Sequence, residues 1–249
     1  MNLDIIRKKN PEITRPKYLK KVDGLIALLG SLEQSTDDLL SKYDNIFFIN
    51  TTISKRQVFE QVIKGTLTDD SKTFLNDIGN VDAHQNDNRN YVEYCIDLIL
   101  GWLNEDAILN SILKQNIPAS LFGVDANREF LKLKEIDGSP DIKIGYDDNF
   151  RLMDVFADWS NYWTKNGKAD LRDNKYKRLE QDKSLLLGLS PLSQTAFLID
   201  VSSESYGFEH NPNIWAYGGK PGYTTSEIIK HMNPLQDVLK NLYGMFRND

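Results

Sequence analysis

Between residues 128 and 159 the apolar pattern breaks into three short runs set apart by turn residues, and this punctuation commits the middle of the chain to a sheet. Arg128 to Ile136 alternates Phe130, Lys132, Lys134 and Ile136 against Leu131 and Leu133, and Asp137-Gly138-Ser139-Pro140 stops it. Asp141 to Tyr146 is the next expected strand. Asp147-Asp148-Asn149 turns the chain, and Phe150 to Trp159 forms a third, more apolar strand. The pattern predicts a three-stranded meander.

Helical patterns flank it. Val92, Cys95, Ile96, Ile99 and Leu103 form an amphipathic stripe after a polar stretch supplying the cap residues Asp82, Asn86, Asp87 and Asn88. Downstream, a helix from about Asp170 to Leu187 is expected, then a central strand from Thr195 to Val201, then a helix from about Thr225 to Phe246 interrupted by Pro234. The order α-β-β-β-α-β predicts an α/β fold with a mixed sheet. Residues 1-80 read as a helical annex packed on a core spanning 81-249, with Ile46 to Ile49 readable as strand or buried helix.

Bulk properties narrow the function classes. At 249 residues and 40% hydrophobic, the chain can bury a substantial core. No apolar run reaches the roughly 18 residues that cross a bilayer, and the charged N-terminus does not resemble a signal peptide, so a cytoplasmic protein with no membrane partner is expected. The single cysteine, Cys95, sits in an apolar stripe and reads as core, while His84, His210 and His231 are not paired at ligand spacing. A thiolate-rich zinc site and a histidine triad therefore lack their residues. A net charge of −6 argues against a surface that grips nucleic acid everywhere, yet permits an acidic site within a locally basic cleft.

The chemistry concentrates between Ser139 and Lys175. Asp141 begins one expected strand and Asp154 lies in its hairpin partner, so the two carboxylates can face each other across the pair. Such oxygens suit Mg²⁺, which keeps several waters and activates one of them against a phosphodiester. A carboxylate between Leu152, Met153, Val155 and Phe156 is expensive to bury without a partner. Asp158 is either a third acid or a solvated strand end. Glu93, one helix upstream, is either an outer metal contact or an ordinary first-turn acid.

These residues resemble the PD-(D/E)xK nuclease superfamily, over about residues 88 to 201. Pro140-Asp141 fits the first part of the motif and Asp154 the second acid, but the lysine position two residues on holds Phe156. The resemblance implies a restriction endonuclease-like core and a metal-dependent endodeoxyribonuclease acting on double-stranded DNA. Mg²⁺ would be the cofactor, with Mn²⁺ as a substitute, held by Asp141, Asp154 and Glu93. It also implies a homodimer by the symmetry of cutting both strands. Members whose lysine has moved to the following helix point to Lys175, which projects with Leu171, Leu179, Asp182 and Leu186, and Arg178 is nearly as well placed. The alternative is a degenerate site in a module that binds nucleic acid or protein without cutting. The glycine-rich stretch from Tyr217 to Tyr223 lacks Walker spacing and reads as a DNA-approaching loop or a simple turn.

Overall fold

The computed structural model describes residues 16–82, 90–131, 138–146, 149–203, 206–214 and 218–247. Two compact units emerge. The first comprises Met1–Ala107 with Val124–Ile136, the second Ile108–Gly123 with Asp137–Asp249. Among the described residues no helix is long and apolar enough to cross a membrane.

The first unit is helical: α1 (Pro16–Ser31), α2 (Thr36–Leu40), α3 (Lys55–Lys64), α4 (Asp69–Asp82) and most of α5 (Tyr91–Leu113). Local chemistry sets the ends. Ser35 and Asp38 form a reciprocal capping box at α2, Ser54 caps α3, and Gly65 closes α3 in the left-handed region. The helices bury one apolar stripe each, with Leu25, Leu28, Val58, Phe59, Leu75, Ile96 and Ile99 inaccessible or nearly so. Of the apolar run from Ile46 to Ile49, only Phe48 is buried; Ile46, Phe47 and Ile49 are exposed, and Phe47 bridges Ser54. Cys95 is buried in this core, as its stripe suggested.

Arg128 to Leu131 is not the strand that the alternation suggested, and 132–136 lie outside the described residues. The reason is a buried charge. Arg128, 1% exposed and in the left-handed region, turns inward to bond Asp106 (2.9 Å) and Glu105 (2.6 Å) on α5. Lys42 (2.6 Å) and the Tyr43 hydroxyl (2.5 Å) complete the shell around Asp106. Burial, then Asp106, pushes the Tyr43 phenol far up.

The second unit carries the sheet. Its six strands run in the order β1 (Ala119–Leu121), β2 (Ile142–Tyr146), β3 (Asn149–Ala157), β5 (Leu185–Ser190), β6 (Thr195–Asp200) and β9 (Asn233–Pro234). All neighbours are antiparallel except β3 and β5, so the fold is α/β with a mixed sheet. The crossover between those two parallel strands contains α6 (Tyr162–Asn166), β4 (Ala169–Arg172) and α7 (Asp173–Gln181). A second sheet, β4-β8-β7, adds β7 (Glu209–Ile214) and β8 (Lys220–Thr225).

Here the helix expected over 170 to 187 gives way to β4, α7 and the start of β5. Ser184-Leu-Leu-Leu-Gly-Leu-Ser is a continuous apolar run buried on both faces, and periodicity alone does not separate such a central strand from a buried helix. Gly188 is required there, because a Cβ would stand 2.0 Å from the Phe197 ring on β6. The last expected helix is split by Pro234 into α8 (Glu227–Lys230) and α9 (Leu235–Phe246), as a residue without an N–H requires. Leu235, Val238, Leu239 and Leu242 of α9 are buried.

Truncating Arg128 to Ala should leave Asp106 buried with Lys42 as its remaining cation and lower the unfolding free energy by about 3 kcal/mol, measured by urea denaturation. A loss below about 1 kcal/mol would show that the ion pair is a passenger in the helical unit.

Candidate functional site

Asp141 stands at the mouth of β2, held from both sides. Its N–H donates to the Met153 carbonyl (3.0 Å), and its carbonyl accepts from the Phe122 N–H (2.8 Å). The β2–β3 register that pairs Ile142 with Met153 puts Asp141 opposite Asp154 when continued by one residue. The Val155 N–H donates to Asp141 Oδ2 (2.8 Å), and the two carboxyl groups are within hydrogen-bonding reach of each other.

Asp154 is 3% exposed in the middle of β3, and it is not left alone. Lys175, in the first turn of α7, pairs its ammonium with Asp154 Oδ1 and also donates to the Ser139 carbonyl (3.0 Å). The approach of the 138–139 segment is close. A Cβ on Gly138 would lie 3.2 Å from the Asn174 carbonyl and 3.5 Å from Lys175 Cα, so a small residue lets this loop rest on the helix. Arg178, the competing cation, turns to Asp182 on its own helix (2.6 Å). Three of the sequence-derived residues, Asp141, Asp154 and Lys175, thus meet.

The fourth, Glu93, has a local role. Glu93 belongs to the helical unit, where it accepts from the Asn90 N–H (3.0 Å) while Asn90 Oδ1 accepts from the Glu93 N–H (2.9 Å). That is a capping box at the start of α5. Asp158 is also committed locally: its carboxylate accepts from the Ser160 N–H and hydroxyl and from the Trp163 N–H, each at 2.9 Å. It forms the turn into α6. Phe156, at the motif's lysine position, packs on Trp163 (ring centroids 5.3 Å), which packs in turn on Phe197 (5.1 Å).

Electrostatics follow from this geometry. Loss of hydration, then the neighbouring Asp154, holds the Asp141 carboxyl well above its ordinary value of 3.8, against the pull of Lys175. Two carboxylates with one ammonium between them are short of positive charge, which is the condition a divalent cation relieves. Among the described residues, His, Cys, Asp and Glu form no group of three or more at metal-binding spacing. One or two carboxylates suffice for Mg²⁺, which draws its other ligands from water and substrate phosphates, so Asp141 and Asp154 fit that ion.

Sequence reasoning missed two members of the cluster, the Ser139 carbonyl and the Val155 N–H. Both are main-chain groups and leave no side-chain motif. It also missed the second sheet, whose strand β4 leads directly into α7 and so fixes where Lys175 begins. No known family's sequence profile matches the chain, and no curated protein matches it significantly.

A pH dependence follows for the metal-free protein. With the folded value of Asp141 above 3.8, the folded state holds this proton more tightly than the unfolded chain does. Ionisation therefore costs stability: the cost is absent below 3.8 and grows as pH rises through the folded value. Thermal melts in EDTA should show stability falling over that range, and Asp141→Asn should flatten the fall and raise the melting temperature at neutral pH. An unaltered pH slope in the Asn variant would rule out a proton shared between the two carboxyls.

Proposed function

We propose that this chain is a Mg²⁺-dependent endonuclease that hydrolyses phosphodiester bonds of duplex DNA on a restriction endonuclease-like core. The observation that carries the reading is the convergence of Asp141, Asp154 and Lys175 at the β2–β3 edge of the crossover, with Asp141 held protonation-prone by burial and then by its acidic neighbour. The chain order α5, β1, β2, β3, α7, β5, with α6 and β4 inserted between β3 and α7, supports it, β1 at Ala119–Leu121 taking the first-strand position.

In this reading each residue has a role derived from its surroundings. Asp141 and Asp154 hold the divalent ion, and the Val155 N–H keeps the Asp141 carboxylate oriented. When bound, such an ion polarises a phosphoryl oxygen and lowers the pKa of water. Lys175, which neutralises Asp154 in this structure, would then share that task with the bound ion. Lys175 then has its ammonium, a compact charge still tethered to the Ser139 carbonyl, available to a non-bridging phosphate oxygen or to the attacking water. Phe156 cannot serve, since its ring is part of the aromatic cluster with Trp163.

A second reading, a non-catalytic module binding nucleic acid or protein, draws on the ion pair itself, because a lysine that satisfies Asp154 is also a stable structural arrangement. Metal separates the two. A nuclease cuts plasmid in Mg²⁺ or Mn²⁺ and stops in EDTA, whereas a binding module shifts DNA and leaves it intact.

Asp154→Asn is expected to abolish plasmid cleavage while duplex binding stays measurable. Lys175→Ala should slow single-turnover cleavage by roughly a hundredfold, the usual size for one lost charge-stabilising group, and Arg178→Ala should do much less. Near-normal turnover in Asp154→Asn would sink the proposal, and equal losses at 175 and 178 would remove Lys175 from it.

A further inference from the structure

The β7–β8 ribbon has a surface that the core does not explain. Successive residues of a strand point to opposite faces, and in β7 Glu209, His210, Pro212 and Asn213 are all exposed, so neither face of this strand is covered along most of its length. β7 is the edge strand of its sheet, and only Ile214 is buried. Beside it on β8, Lys220 and Pro221 are exposed as well. The pairing is irregular between Asn211 and Ile214, which sets Asn213 outside the regular ladder, and the Asn213 N–H donates to Asn211 Oδ1 (3.0 Å). Glu209, the acid of the ribbon, sits at the opposite end, paired in register with Thr224.

This ribbon is rigidly joined to the catalytic helix. Gly222 lies so close to β4 that a Cβ would stand 2.2 Å from the Leu171 carbonyl. Tyr223 stacks on Tyr176 with ring centroids 3.8 Å apart and planes 19° from parallel, and Tyr176 directly follows Lys175. The Thr224 hydroxyl donates to buried Asp170 (2.6 Å), the second residue of β4. The strand that receives these contacts runs straight into α7.

We propose that the β7–β8 ribbon enters the major groove of duplex DNA, with Asn213 reading a base edge and Lys220 contacting the backbone phosphate. The proposal rests on the nuclease reading and adds its recognition element. The major groove admits a two-stranded ribbon, a side-chain amide pairs bidentately with adenine, and a lysine ammonium neutralises phosphate. Seating the ribbon on Tyr176 makes the register of base reading the register of the Lys175 site.

The test compares wild type, Asn213→Ala and Lys220→Ala, each shown to be folded by circular dichroism, on two probes. These are supercoiled plasmid in Mg²⁺ and a fluorescein-labelled mixed-sequence DNA duplex in EDTA. Lys220→Ala is expected to weaken duplex binding roughly tenfold and to reduce the slope of log affinity against log salt by about one. Asn213→Ala is expected to leave that slope unchanged while the discrete plasmid fragments of the wild type give way to a broader pattern. If both variants bind and cut like wild type while Asp154→Asn does not cut, the ribbon is refuted and the nuclease reading stands. A wild type that cuts without sequence preference refutes the ribbon as a reader of bases. A wild type that neither binds nor cuts duplex overturns both readings together.

Discussion

A carboxylate buried in the middle of a strand needs donors or positive charge brought to it, and for Asp154 the second unit brings a lysine. The cation comes from outside the sheet. The chain leaves β3, forms α6 and β4, and then places α7 with Lys175 in its first turn before returning as β5 parallel to β3. The segment preceding β2 completes the arrangement, because Gly138 lets it lie against α7 while Ser139 accepts from the same ammonium that pairs with Asp154. Three chain segments, β3, α7 and the residues before β2, thereby meet at one carboxylate.

The aromatic neighbourhood of Phe156 explains why the cation is supplied by a helix. Phe156 pairs in register with Gly188, and Gly188 with Phe197, so two large rings flank a strand position with no side chain. Trp163 then packs on both rings. A lysine at position 156 would have to leave its ammonium within this apolar cluster, where desolvation disfavours charge. Moving the cation to α7 separates the two tasks: residue 156 closes the core, and residue 175, half-buried, keeps its ammonium beside the carboxylates.

The helical unit offers a useful contrast. There Asp106 is fully buried, yet Arg128 and Lys42 reach one of its oxygens and the Tyr43 hydroxyl the other. Its surroundings answer the charge, and the result is a structural knot between α5 and the segment at Arg128. At Asp141 and Asp154 two acids share one lysine, and burial followed by the neighbouring carboxyl raises Asp141. Both places bury acid, but only the second leaves a demand for further positive charge.

How much of this was legible in the sequence follows from the range of each interaction. The amphipathic helix beginning near Tyr91, the strands around Asp141–Tyr146 and Phe150–Ala157, and the break at Pro234 are local matters of period, turn chemistry and a missing N–H, and the sequence by itself determined them. It also singled out Asp141 by its place after Pro140 and Asp154 as an acid inside an apolar run, and it reached Lys175 on a helical stripe whose ends, Leu171 and Leu186, lie on β4 and β5. What only the tertiary structure decided depends on distant partners. Arg128 forgoes a strand for the carboxylates of α5, and the run at Leu185 becomes a strand because β3 and β6 lie on either side. Lys175 prevails over Arg178 at the acids because α7 starts where β4 ends, three residues later than the periodicity indicates, and so turns residue 175 toward Asp154 and leaves residue 178 to Asp182.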